Sequence, residues 1–181
     1  MVYAPSEDSF LLAECVMHYK GKMALEIGVG SGIVLESLGD CFEFIAGTDI
    51  DVEALRLCKG RKTNAALVCC DACSAFAQVK KLRFDLIVTN PPYLPDDDKL
   101  IDRTVHGGPT GIEATVHFVR SAVPLLADGG KILVVVSSLA DASGLDALLE
   151  REKLTKKLVK EKELFFEKLA VYELSQGQKL W

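Results

Sequence analysis

The sequence lacks three features that would each indicate a different class of protein. No apolar run approaches the about 18 residues that a membrane-spanning helix needs. The amino-terminal stretch MVYAPSEDSF has no basic segment followed by an apolar one, as a secretory signal has. Lysine and arginine total 21 against 26 acidic residues, a net charge of -5, so there is no basic surplus to neutralise phosphates. We therefore predict a cytoplasmic protein with no membrane partner and no direct binding of nucleic acid.

Cysteine is present, but its spacing does not suggest a metal site. One pair among the six cysteines, Cys70 and Cys73, has the CxxC spacing. A structural zinc site normally has four ligands, and no second pair lies at a suitable distance in the sequence. We predict buried, reduced thiols and no metal. His117 is expected to be a surface or packing residue, whereas His106 is expected in a loop beside the binding cleft.

Strand-like and helix-like segments alternate along the 181 residues without a linker or a repeat. This pattern predicts an α/β protein with a single domain, residues 1–181. Helices are predicted at 6–19, 33–38, 52–61, 112–127 and 142–152. Strands are predicted at 23–27, 42–49, 66–71, 84–90 and 131–137. Two further strand-like runs lie close together near the end of the chain, which indicates an antiparallel hairpin on an otherwise parallel sheet.

A glycine-rich segment, EIGVGSG, follows the first predicted strand. Gly28, Gly30 and Gly32 allow the backbone to turn tightly and to approach a ligand closely. A dinucleotide-binding fingerprint would need its third glycine at position 33, which is Ile33, so the motif is GxGxG and implies no pyrophosphate. A plain strand-to-helix connection is the alternative for this motif taken alone.

Acidic residues lie at or near the ends of the first three predicted strands. Asp49 is placed to accept hydrogen bonds from both hydroxyls of a ribose. Asp71 is placed to accept from the amino group of adenine, with the Ala72 amide as a neighbouring donor. Glu26 supplies a third carboxylate. Three carboxylates around a glycine turn suit a cationic nucleoside, and S-adenosylmethionine is the predicted cofactor.

The segment TNPPY ends the fourth predicted strand. Pro91 and Pro92 stiffen this turn and hold Asn90 outside the helical region. The Asn90 side-chain oxygen and the Pro91 carbonyl then form a pair of acceptors that suits a planar NH2 group, on which Tyr93 can stack. Gripping both hydrogens would align the nitrogen lone pair with an activated methyl group. A plain turn after a buried strand is the alternative.

The motifs EIGVGSG, TDID, CDA and TNPPY together resemble the class I S-adenosylmethionine-dependent methyltransferases that act on planar amide or amino nitrogens. Within them, YAPSEDSFLL, VHGGPTGIE and LFFEKLAVYEL are similar to the short HemK-type branch, the glutamine-N5 methyltransferases of archaeal and eukaryotic release factors. The resemblance covers essentially the whole chain. It implies a Rossmann-like class I methyltransferase fold, with a mostly parallel seven-stranded sheet, a C-terminal antiparallel hairpin and helices on both faces.

The resemblance also implies roles for particular residues. In that family the glutamine of a GGQ motif in a class-1 translation release factor enters the cleft, and the residues that match those holding it are Asn90, Pro91, Pro92 and Tyr93. The positions that match cofactor contacts are Ser9, Glu26, Gly28, Asp49, Asp71, Ala72 and Asn90. Ser9 departs mildly from the family pattern, because relatives often have threonine there, but it keeps the hydroxyl.

The related short enzymes use a small zinc-binding activator protein, and the strand order that the resemblance implies places the segment from Ala66 to Cys70 at a sheet edge. Its residues Ala66, Leu67, Val68 and Cys69 carry no charge, whereas edge strands are normally charged or covered. We predict that the activator docks along this strand. A local loop or helix that covers the strand is the alternative.

Two other functions stay open on the sequence alone. An enzyme that methylates the exocyclic amine of adenine or guanine in DNA or RNA would grip its substrate with the same NPPY motif. A base in a duplex must, however, be flipped out, and this acidic chain has no spare segment to hold the flanking strand. The other possibility is a cofactor-binding scaffold without activity, which the intact NPPY motif disfavours.

Overall fold

Strands and helices alternate along most of the chain, as the sequence pattern predicts. The computed structural model describes residues 3–59, 61, 65–97 and 102–177. The strands are β1 Gly21–Ile27, β2 Phe42–Asp49, β3 Ala66–Cys69, β4 Phe84–Thr89, β5 Leu94–Pro95, β6 His106–Gly108, β7 Leu126–Ser137, β8 Leu154–Glu163 and β9 Lys168–Gln176. The α-helices are α1 Glu7–Val16, α2 Ile33–Gly39, α3 Val52–Lys59, α4 Glu113–Ala122 and α5 Ser143–Glu152.

Seven of these strands form one sheet in the order β3-β2-β1-β4-β7-β9-β8. Strand β1 pairs in parallel with both β2 and β4, so the order of the strands reverses at β1. Strand β9 runs antiparallel to β7 and β8, which confirms the predicted C-terminal hairpin. The seven-stranded, mostly parallel sheet expected from the family resemblance is therefore confirmed, with β3 at one edge.

Helices cover both faces of the sheet because the buried residues of its central strands alternate in direction. Leu86 and Val88 of β4 pack in the layer that contains α1, α2 and α3. Ile87 packs in the opposite layer, with α4 and α5. Strand β4 is buried on both faces because it lies between two parallel neighbours. This strand therefore holds the residue that follows it, Asn90, on a rigid support.

Several predicted boundaries differ from the structure. The helix predicted at 112–127 is too long: α4 ends at Ala122, a 3-10 turn follows at Val123–Leu125, and β7 begins at Leu126. Pro124 explains the early end, since it has no N–H to continue an α-helix. Strand β3 also stops two residues before the predicted position 71. Asp51 caps the start of α3, because its Oδ1 accepts a 2.9 Å hydrogen bond from the Glu53 amide.

Strand β8 carries four lysines, Lys156, Lys157, Lys160 and Lys162, and is mostly exposed. Two of them form ion pairs with α1: Lys160 contacts Glu14 at 2.5 Å, and Lys162 contacts Glu7. These two ion pairs connect α1 to the hairpin. Across residues 3–59, 61, 65–97 and 102–177, no helix combines the length and the apolar character needed to cross a membrane.

Candidate active site

The predicted site residues gather at one edge of the sheet, where β1 to β4 end. The glycine turn follows β1, Asp49 ends β2, Asp71 lies just after β3, and Asn90 follows β4. Parallel strands bring their carboxyl ends to the same edge, and ligands of open α/β sheets bind there, next to the point where the strand order reverses. The topology thus places all four segments around one cleft.

The glycine turn adopts backbone conformations that other residues avoid. Gly28, Gly30 and Gly32 have φ of +76°, +45° and +80°. A side chain at Gly32 would meet the Cys58 sulfur at 2.7 Å, whereas a Cβ at Gly30 would meet nothing within 4 Å. Gly32 is therefore required for packing, and Gly30 faces open space in the cleft. The Gly28 amide donates to the Thr48 carbonyl at 2.8 Å, which ties the turn to β2.

Asp49 is held in a fixed orientation by the backbone around it. Its Oδ2 accepts a 2.9 Å hydrogen bond from the Gly30 amide, and its Oδ1 accepts a 2.8 Å bond from the Asp51 amide. Each carboxylate oxygen has a further lone-pair site, so both can still accept from a ligand hydroxyl. The side chain is preorganised because its rotamer is set before any ligand arrives.

A cavity of about 610 Å³, here called the large cavity, opens at the ends of these strands. This volume lies within the usual range for small-molecule sites. Six of the predicted site residues line it, namely Gly28, Gly30, Asp49, Asp71, Ala72 and Pro92. The other six predicted site residues are not part of its wall, namely Ser9, Glu26, Gly32, Asn90, Pro91 and Tyr93.

The sequence reasoning missed part of the wall of the large cavity. Phe118 lines it together with Ala114, one turn earlier on α4. The spacing of four residues, which places both side chains on one helix face, was a usable signal. Thr104 was also missed. His106, which was expected beside the cleft, does line the cavity, and its Nδ1 accepts a 2.9 Å hydrogen bond from the Asp102 amide.

Asp71 has a partner that the sequence did not suggest. His117, which we expected to be a surface or packing residue, places Nε2 2.9 Å from Asp71 Oδ1, and both side chains are about half exposed. The next residue, Ala72, is buried and has φ of +45°, an uncommon conformation for a residue with a Cβ. Strained backbone of this kind often lies at functional sites.

Glu26 is a buried carboxyl group beneath the glycine turn. The residue is 3% exposed, and Oε2 has no hydrogen-bond partner in the structure. Burial, with a smaller contribution from the Asp49 charge, raises the pKa of Glu26 well above its usual range. Glu26 therefore keeps its proton to a higher pH than an exposed carboxyl group does.

A second, smaller pocket of about 220 Å³, here called the Asn90 pocket, adjoins the large cavity. The two share Tyr3, Pro92 and Thr104 in their walls. Asn90 lines this pocket, and its buried Oδ1 has no hydrogen-bond partner within the part of the chain that the structure describes. The Asn90 Nδ2 lies 3.5 Å from the Ser9 hydroxyl, at the limit of a hydrogen bond. A buried acceptor oxygen is therefore left free to bind a donor.

A glycine-rich loop packs against the backbone of the NPPY turn. The Tyr93 and Leu94 amides donate to the Val105 carbonyl at 3.1 and 2.9 Å. A side chain at Gly107 would lie 2.3 Å from the Pro92 carbonyl oxygen, and one at Gly111 2.4 Å from that of Tyr93. The glycines of VHGGPTGIE thus permit a close backbone approach that supports the turn.

Asp8 joins α1 to the Asn90 pocket, and the sequence reasoning did not identify it. This residue is 2% exposed, and its Oδ2 accepts hydrogen bonds from the Tyr3 hydroxyl at 2.8 Å and the Tyr93 hydroxyl at 3.0 Å. Its Oδ1 accepts from the Ser9 amide at 2.6 Å. Burial, followed by the Asp8 charge, raises the pKa of both tyrosines. An acidic residue in line with the buried residues Leu11, Leu12 and Cys15 was the available signal.

The six cysteines are free thiols in the structure. Among the described residues, no group of three or more His, Cys, Asp or Glu side chains is arranged to hold a metal ion. Cys58 and Cys73 are buried, and burial raises the pKa of each thiol to about 11. Neither thiol is therefore ionised at neutral pH.

Comparison with known proteins places this architecture in a family. The model of the family "Methyltransferase small domain" matches residues 6–166. The chain is 35% identical over 145 residues to the "Putative protein N5-glutamine methyltransferase MJ0928" of Methanocaldococcus jannaschii, covering 76% of this chain and 73% of that protein. It is 32% identical over 138 residues to a release factor glutamine methyltransferase of Bradyrhizobium diazoefficiens, covering 68% of this chain and 46% of the relative.

Other relatives carry different names. The chain is 31% identical over 132 residues to the ribosomal RNA small subunit methyltransferase C of Salmonella arizonae, covering 71% of this chain but 34% of that protein. A solved structure, a chain of the E. cuniculi Mtq2-Trm112 complex responsible for methylation of the eRF1 termination factor, superimposes with a TM-score of 0.77 at 22% identity, covering 97% of this chain and 99% of that one. The chain thus spans about half or less of the length of these last two sequence relatives. On the family match and the 35% identity, the chain belongs to the methyltransferase small domain family.

Proposed function

We propose that the protein is an S-adenosylmethionine-dependent N-methyltransferase that modifies the glutamine side-chain amide of the GGQ motif in a class-1 translation release factor. The observation that carries the proposal is the buried, unpartnered Oδ1 of Asn90 in a pocket that adjoins a cavity of cofactor size. An orphaned buried acceptor is costly unless a ligand donates to it. An amide NH2 is such a donor.

The residues around the large cavity fit S-adenosylmethionine. The Gly30 turn leaves open space, and Asp49 and Asp71 offer carboxylates to the hydroxyl and amino groups of a nucleoside. Glu26, which directly precedes the lining residues Ile27 and Gly28, has an unpartnered Oε2 as a further acceptor. When bound, S-adenosylmethionine supplies an activated methyl group on its sulfonium.

The chain's own contribution is to hold the acceptor nitrogen still. Asn90 Oδ1 accepts one hydrogen of the NH2 group, and the stiff Pro91–Pro92 segment fixes the position of that oxygen. Tyr93 covers the planar amide, and Asp8 fixes the Tyr93 ring by accepting from its hydroxyl at 3.0 Å. Positioning alone accelerates such a displacement, so neither a metal nor a covalent nucleophile is required.

The names of relatives support a protein amide as the acceptor. The 35% identical and 32% identical relatives are both named as glutamine methyltransferases. The 31% identical ribosomal RNA methyltransferase favours a second candidate, transfer to the exocyclic amine of a base. The net charge of -5 and the carboxylates of Asp8 and Glu167 in the Asn90 pocket argue against that candidate, since nucleic acid is polyanionic.

We also propose a small activator protein, in complex with this chain, at the edge strand β3. Ala66 and Cys69 are exposed, Leu67 and Val68 are half-buried, and no described element pairs with the outer edge of β3. Exposed apolar side chains lie on neighbouring elements, with Ile50 72% and Phe44 57% exposed. An uncharged edge beside an apolar surface suits pairing with a partner strand.

One assay separates the two acceptor classes. The purified chain, alone and together with a candidate activator, is given labelled S-adenosylmethionine and either a class-1 release factor, the same factor with its GGQ glutamine replaced by asparagine, or ribosomal RNA. We expect label only in the intact release factor, with mass spectrometry locating one methyl group on that glutamine. Label in RNA, or equal label in both release factors, would refute the proposed acceptor.

A further inference from the structure

Two large apolar side chains are exposed to solvent at the turn between β8 and β9. Phe165 is 91% exposed and Phe166 is 83% exposed. Their rings pack edge to face, with centroids 4.6 Å apart. Scattered single exposed hydrophobic residues are ordinary, but an adjacent aromatic pair forms a contiguous apolar surface of the kind that contacts a partner.

The turn that carries the pair is held by hydrogen bonds rather than being loose. The Leu164 amide donates to the Glu167 carbonyl at 2.8 Å. The Glu167 carboxylate accepts from the Ser137 hydroxyl at 2.5 Å, and the Lys168 amide donates to the Ser138 hydroxyl at 2.9 Å. The two rings therefore sit on a backbone fixed to the end of β7, which lowers the entropic cost of binding.

The pair directly precedes, in the sequence, a residue that lines the Asn90 pocket. Glu167, the residue directly after Phe166, lines that pocket together with Asn90 and Tyr93. A protein that inserts a side chain into the pocket must bring its flanking residues over this part of the surface. The phenylalanines are thus placed to contact the acceptor protein and not only the acceptor group.

Charge indicates the chemistry of the segment that docks. Among the described residues, the charged side chains that line the Asn90 pocket are Asp8 and Glu167, both acidic. The lysines nearest the turn are neutralised, since Lys162 pairs with Glu7 and Lys168 lies 3.2 Å from Glu163. A segment with basic residues and one apolar side chain complements this surface.

We propose that Phe165 and Phe166 form a docking site for the acceptor protein, and that they bind an apolar side chain in the basic segment flanking the methylated residue. This inference rests on the proposed function. Two rings offer far less than the about 800 Å² per partner of a stable complex, so a permanent dimer through them is not expected. Acidic surroundings are also repelled by anionic lipids, which disfavours a membrane as the occupant.

The test compares the double variant Phe165→Ser/Phe166→Ser with Leu158→Ser. Leu158 is a matched control because it is an exposed apolar residue, 45% exposed, on the same hairpin but away from the turn. Initial rates are measured against the concentration of intact release factor, together with the Kd of S-adenosylmethionine and the thermal midpoint. We expect the double variant to raise KM for the release factor at least about tenfold, with kcat, cofactor affinity and stability unchanged. The control should match wild type.

Each other outcome overturns the inference in an identifiable way. An unchanged KM in the double variant, with wild type active, refutes the docking site and leaves the proposed function standing. Absence of transfer by wild type refutes both. Gel filtration and sedimentation with phosphatidylserine vesicles identify other occupants: loss of a wild-type dimer, or of vesicle binding, in the double variant would assign the pair to a second copy or to a membrane instead.

Discussion

The substitution Asn90→Ala tests the central feature of the site, a buried oxygen that has no partner. It removes Oδ1 and the 3.5 Å contact from Nδ2 to the Ser9 hydroxyl. Because that contact is at the limit of a hydrogen bond, the free energy of unfolding should change by less than about 1 kcal/mol. Asn90 is also outside the wall of the large cavity, so cofactor affinity should remain close to wild type.

The effect on catalysis should be much larger. Asn90 Oδ1 is a buried, preorganised group, and removing one preorganised hydrogen-bonding group typically lowers kcat by about 10²–10³, or about 2.7–4 kcal/mol. Misplacement of the acceptor nitrogen after the loss adds to this cost. Methyl transfer to the release factor should therefore fall to the detection limit while the protein stays folded and binds cofactor.

The assay combines single-turnover methyl transfer, calorimetry with S-adenosylmethionine and urea denaturation. The control Thr115→Val removes another buried oxygen without a partner, one that lies outside both the large cavity and the Asn90 pocket. It should leave transfer unchanged. Activity of Asn90→Ala within a few-fold of wild type would show that Asn90 does not position the acceptor.

Three further predictions follow from other parts of the structure. Asp49→Ala should weaken cofactor binding by about 1.5–3 kcal/mol in calorimetry, since a charged acceptor is lost; an unchanged Kd would exclude Asp49 from the site. The raised pKa of Glu26 means that stability is lost as pH rises above 4.5 toward its folded-state value, so Glu26→Gln should flatten that decline in urea denaturation, and parallel pH curves would contradict this. Leu67→Lys should abolish activator binding in gel filtration but not folding; an intact complex would refute docking at β3.

Much of the fold was predictable because local pattern and tertiary structure agree. Buried parallel strands such as β4 read as apolar runs, and the glycine turn and Asp51 mark the starts of helices. The C-terminal hairpin was visible as two strand-like runs that lie close together in the sequence. The predicted end of α4 was wrong because the apolar periodicity of the sequence continues past Pro124. Proline lacks the N–H that an α-helix needs, so the helix ends before it in spite of that pattern.

The candidate site was predictable only where its residues lie in short motifs. Asn90 and Asp49 follow strands directly, so their position at the sheet edge could be inferred from the sequence. Asp8 reaches Tyr93 across 85 residues and His117 reaches Asp71 across 46, and no local pattern reports such pairs. The position of Phe118 in the wall of the large cavity likewise depends on how α4 packs on the sheet, and the spacing of residues in the sequence does not determine that packing.

The ion pairs between α1 and β8 have a consequence for the order in which the protein is made. Lys160 and Lys162 contact Glu14 and Glu7 across 146 and 155 residues, so α1 receives this support only after the last strands have been synthesised. Asp8 lies in the same helix. During translation, the strand ends around the glycine turn can therefore assemble early, whereas the Asn90 pocket, which Asp8 and Glu167 line, is complete only after the final segment of the chain has been made.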